Sequence, residues 1–114
     1  MKRMRMAVGL VLALVLALAG CDATKPVVDA TIVLQNQSSQ PIHNVYIRSC
    51  GNASWGSNRL TAATGIQVPS GASAQFTVSP GCYDIRATNF LGSSVEFLNR
   101  TLSENETFTA TVTN

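Results

Sequence analysis

Between residues 30 and 114 the chain keeps no helical period. It is built from short runs in which apolar and polar residues alternate, each closed by Gly, Pro, Asn or Ser. Seven such runs can be marked: 31–35, 44–49, 65–68, 72–78, 83–88, 95–101 and 107–112. Strict alternation puts successive side chains on opposite faces, so each run has one face for a core and one for water. In 107–112, Phe108, Ala110 and Val112 share a face against Thr107, Thr109 and Thr111. In 72–78, Ala74, Phe76 and Val78 oppose Gln75 and Thr77.

Turn signals recur at roughly the 8–12-residue spacing of all-β domains. Pro69-Ser70-Gly71 and Pro80-Gly81 join a residue with fixed φ to one that accepts positive φ. These features predict an all-β chain with a single antiparallel β-sandwich of immunoglobulin-like outline and about seven strands. A small β-barrel is the alternative.

The first twenty residues follow other rules. Lys2, Arg3 and Arg5 precede an uninterrupted apolar or glycine run, Ala7 to Leu18. A basic head, a short apolar run and then small residues is the layout of a secretory signal peptide. A run of this length falls short of the ~20 apolar residues that span a bilayer.

The tetrapeptide Leu18-Ala19-Gly20-Cys21 resembles the lipobox of bacterial lipoprotein precursors. The resemblance implies cleavage before Cys21, lipidation of its thiol, and a protein held on a bacterial membrane at its periplasmic or outer face. Two or more acyl chains, at ~0.8 kcal/mol per buried CH₂, give stable anchoring where one does not. Asp22 resembles the residue that retains enteric lipoproteins in the inner membrane, a lean only. The expected organisation is therefore signal peptide 1–20, lipidated tether 21–29 and β-sandwich domain 30–114.

With the signal removed, five basic and six acidic side chains remain, a net charge of −1. The basic pI of the whole chain lies in the discarded segment. A near-neutral domain offers no electrostatic footprint for nucleic acid, nor a polybasic patch for anionic lipid.

Cys21 being assigned to lipid, Cys50 and Cys82 form an even pair in an exported domain, and a disulfide is expected. Cys50 closes one alternating run and Cys82 opens another. If the two runs pair antiparallel with the cysteines opposed, Arg48 faces Asp84 and Tyr46 faces Arg86. Ile47 then meets Ile85 and Val45 meets Ala87 on the other face. Opposite charges and apolar partners both fall into place, which predicts this register, with the bridge on the polar side.

Chemistry-bearing residues are sparse. The single histidine, His43, is expected in an exposed turn. The acids are scattered, with Glu104 and Glu106 expected in solvent, and neither a catalytic set nor a metal-ligand spacing can be nominated. Four N-x-Ser/Thr sequons, at Asn36, Asn52, Asn99 and Asn105, read as turn and strand composition. No enzyme and no cofactor is expected.

The loop 51–59 is the candidate binding surface, through Asn52, Trp55, Asn58 and Arg59. The competing reading of Trp55, and the favoured one, is that it folds back to cap the core. Ser54-Trp55-Gly56 with Leu60, Pro69-x-Gly71 and Tyr83-Asp84-Ile85-Arg86-Ala87 together resemble a pattern in small, uncharacterised bacterial envelope β-proteins. That resemblance implies a fold and no activity. The functional expectation is a membrane-anchored envelope lipoprotein with a non-enzymatic binding or scaffolding role towards a protein partner. The alternatives are an inhibitor or immunity lipoprotein against a hydrolase, or a carbohydrate-binding module.

Overall fold

The computed structural model describes residues 26–63 and 65–114. The signal peptide, the lipidation of Cys21 and the first part of the tether lie outside the described residues. The described chain is all-β. Its strands are β1 (Ala30–Asn36), β2 (Ile42–Ser49), β3 (Ser73–Val78), β4 (Gly81–Asn89), β5 (Ser94–Leu102) and β6 (Thr107–Val112).

Six strands form two sheets of three, ordered β3-β1-β6 and β2-β4-β5, and they do not close into a barrel. The seventh expected strand, 65–68, is absent. Of it only Val68 pairs, as a single bridge to Ile42. The run is too short and too exposed to extend further: Ile66 is 72% exposed.

The core is the sum of the inward faces. Ile32, Leu34, Val45 and Ile85 are at or near zero exposure, and Phe76, Val78, Ala110 and Val112 complete it from the first sheet. Inward and outward positions follow the alternation of the sequence, because a pleated strand offers only those two. Phe97 and Phe108 meet edge to face at 6.3 Å between the sheets.

Within the second sheet the expected register is observed. Val45 pairs with Ala87, Tyr46 with Arg86, Ile47 with Ile85 and Arg48 with Asp84. The Cys50–Cys82 disulfide joins neighbouring strands of that one sheet, at a Cα separation of 5.4 Å. In the first sheet β1 is central, antiparallel to β3 and parallel to β6.

This topology gives the sandwich two distinct ends. At one end lie the entry of β1 at Asp29, the disulfide, the turn before β4 and the turn 103–106. There the Asn105 N–H donates to the Asp29 carbonyl, and the Val28 N–H to Glu104 Oε1. At the other end lie the β1–β2 loop, the β4–β5 hairpin tip and the end of β6.

Asn36 organises that second end. It is fully buried. Its amide donates to the carbonyls of Gln40 and Val68, and its Oδ1 accepts from the Ser38 N–H and hydroxyl. A buried amide is tolerated when its donors and acceptor are all engaged, as here.

Candidate functional site

The candidate loop leaves β2 beside the disulfide. Asn52 is spent on a local turn: its N–H donates to the Ser49 carbonyl, and its Oδ1 accepts from the Ser54 N–H. Gly51 and Gly56 both adopt positive φ, 86° and 76°, which lets the loop double back.

Asn58 and Arg59 both bind the backbone of β2, Arg59 while remaining exposed. Asn58 Oδ1 accepts from the N–H groups of Val45 and Leu60, and its amide donates to the His43 carbonyl. The Arg59 N–H donates to the Val45 carbonyl, and its guanidinium to the Ile47 carbonyl. These bonds run along the outer edge of β2, which has no strand beyond it. Together with the Val68 bridge they cover a sheet edge that would otherwise offer unpaired groups to other chains.

Trp55 does fold back, but not onto the core. It lies half-buried on the outer face of the second sheet, its ring 3.9 Å from the Arg48 guanidinium carbon and 5.9 Å from that of Arg86. The reason is parity. Arg48 and Arg86 occupy outward positions of β2 and β4, and a guanidinium face attracts an indole ring. The capping expectation is corrected accordingly.

Arg48 is held in turn by Asp84, with Nε donating to Oδ2 at 2.9 Å. Asp84 is only 5% exposed. Its Oδ1 accepts the Asn99 N–H at 2.8 Å. Asn99 sits at φ 57°, where β5 carries one residue more than β4 between the Tyr83–Arg100 and Ile85–Phe97 pairs. The carboxylate thus fills the bulge. The Asn99 hydrogen bond first, then that from Arg48, holds the Asp84 carboxyl below its ordinary value despite burial.

Trp55, Arg48, Asp84 and Arg86 therefore gather on one outer face of the second sheet.

His43 is not in an exposed turn. It stands at an irregularity inside β2, half-buried, with its ring 5.2 Å from that of Phe90. Glu104 and Glu106 are exposed, each accepting a backbone N–H. The Asn36 sequon is buried, whereas Asn52, Asn99 and Asn105 are exposed. Among the described residues no three His, Cys, Asp or Glu gather as a metal-holding group.

A second region escaped the sequence reading. At the end of the sandwich away from Asp29, the sheets part over an open cleft of about 330 Å³, between the start of β5 and the end of β6. One wall is the β4–β5 hairpin, whose tip carries Phe90 and Leu91 at 67% and 69% exposure. Two adjacent large apolar residues in a tip built around Gly92 were the available signal. A turn has no core-facing side, so apolar residues there stay in solvent.

No family model and no curated protein matches the chain. Among solved structures, the NMR structure of a protein from Eubacterium rectale is similar to it, with a TM-score of 0.52 at 17% sequence identity. The match covers 82% of this chain and 84% of that one. At that identity the likeness is one of fold.

Proposed function

We propose that this chain is a membrane-anchored envelope lipoprotein whose β domain binds or scaffolds a protein partner and performs no reaction of its own. The observation that carries the reading is the opposition of its two ends. The domain is entered at Asp29, eight residues after the lipobox-like Cys21, while Phe90 and Leu91 stand exposed at the far end. With acyl chains on Cys21, the apolar tip faces away from the bilayer. An exposed apolar pair held out on a rigid hairpin is the kind of surface a protein partner covers. The immunoglobulin-like outline belongs to this reading, since sandwiches of that kind bind through loops at their ends. Asp22 favours the inner membrane.

The test is a crosslinked pull-down from membranes with the lipidated chain, beside F90S/L91S. One stoichiometric protein captured by the unsubstituted chain and lost from the double variant supports the reading. Capture of none, or equal capture by both, sinks it. Cys21→Ser tests the anchor: acylation and membrane retention are both expected to disappear.

A further inference from the structure

We infer that the cleft between the ends of the sheets is a binding site for an N-acetylated amino sugar. The inference goes beyond the docking of a protein at Phe90 and Leu91, because it concerns the cleft itself and its test needs no protein partner.

Two features of the lining carry it. First, the buried residues Ile42, Ala87 and Val112, with the partly buried Val95, supply an apolar floor. Second, the floor is flanked by Asn89 and Asn114, two amides whose orientation is fixed. Asn89 Oδ1 accepts the N–H groups of Leu91 and Ser93 at 2.9 and 3.0 Å. Asn114 Oδ1 accepts the N–H and hydroxyl of Ser39 at 2.8 and 3.0 Å. A backbone N–H can only donate, so each oxygen must face it, and each NH₂ is left over as a donor with no protein acceptor among the described residues. Gln40 and Thr113 add uncommitted polar groups to the same lining.

The lining therefore combines two amide donors that the protein leaves unused with an apolar floor, and no ionisable side chain is part of it. An acetamido group is the complement: a carbonyl that accepts from the amides and a methyl that covers the floor. The hydroxyls of the attached sugar suit the Gln40 and Thr113 rim. The volume lies at the low end of the ~300–1,000 Å³ typical of small-ligand sites.

The test is an NMR titration of the full-length chain in detergent micelles with N-acetylglucosamine and, separately, glucose. N-acetylglucosamine should shift the side-chain NH₂ signals of Asn89 and Asn114 and saturate with a Kd on the order of 1 mM. Glucose, which lacks the acetamido group, should bind at least about tenfold more weakly, a step of ~1.4 kcal/mol.

N89D/N114D is the decisive variant. Each Asp keeps the oxygen that its loop requires and puts a second, charged acceptor oxygen where the donor NH₂ was, so an acetamido carbonyl is repelled and binding should fall at least about tenfold with the backbone spectrum essentially unchanged. Failure to approach saturation by about 20 mM, equal binding of glucose, or full binding by a folded N89D/N114D would each overturn the site. Should that variant not fold, the two-sugar comparison on the unsubstituted chain still decides. F90S/L91S should retain sugar binding, so this inference and the protein-docking reading fail separately.

Discussion

Arg48 Nε donates to Asp84 Oδ2 at 2.9 Å, across the two strands that the disulfide joins. The pair does three things at once. It neutralises a nearly buried carboxylate, it holds the guanidinium carbon 3.9 Å from the Trp55 ring, and through Asp84 Oδ1 it holds the β5 bulge at Asn99.

Asp84→Ala should therefore be among the most costly outward-facing substitutions. It leaves the partly buried Arg48 unpaired and orphans the Asn99 N–H. A loss of about 3 kcal/mol is expected in urea unfolding. A loss below about 1 kcal/mol would show that solvent replaces both bonds.

The same carboxylate makes stability depend on acid. Its folded pKa lies below its ordinary value of 3.8, so its contribution is complete above that value and is lost as pH falls through the lowered pKa. Unfolding free energy should decline below about pH 4, and Asp84→Asn should flatten that part of the profile. An unchanged slope in the variant would assign the acid sensitivity to other carboxylates.

Removing the bridge with C50A/C82A opens a loop with a sequence separation of 32. The chain-entropy relation predicts a cost of about 3–4 kcal/mol. For a domain whose total stability is about 5–15 kcal/mol, this should appear as a clearly lowered Tm in calorimetry.

Trp55→Ala should cost only about 1 kcal/mol, since a stacked cation on an outer face is being lost. A core tryptophan would cost about 3–5 kcal/mol. Thermal unfolding separates the two values. The larger one would mean that the indole shields the core after all.

Asn58→Ala removes two hydrogen bonds to the β2 edge and one from the Leu60 N–H, and should cost about 2–3 kcal/mol. The uncovered edge should also favour self-association. Size-exclusion chromatography at rising concentration checks this, and a variant that is both monomeric and stable would show that Arg59 and Val68 suffice.

Much of the second sheet could be read in advance. The Cys50–Cys82 pair sets the position of one strand against another, and alternation forbids a one-residue slip, because a slip would turn Ile47 and Ile85 outward. Only one register satisfies the charges and the apolar faces together. The run 65–68 misled because β-branched residues between turn signals look alike whether they pair along their length or at Val68 alone. Trp55 misled because its area suggests a core, while nothing local reveals that two guanidinium groups wait on the opposite side of the sheet.

By itself the sequence determined the all-β class, the inward faces of β2, β3, β4 and β6, the bridge and the β2–β4 register, since these follow from period-two geometry and one covalent constraint. Only the tertiary structure decided which sheet each strand joins, that β1 lies parallel to β6, and that Asn58 and Arg59 serve the β2 edge. It alone brought Asn89, from a hairpin, and Asn114, from beyond β6, to one cleft at the end remote from Asp29. Pairings between strands far apart in the chain leave no local trace, because an alternating strand carries the same pattern whichever neighbour it finds.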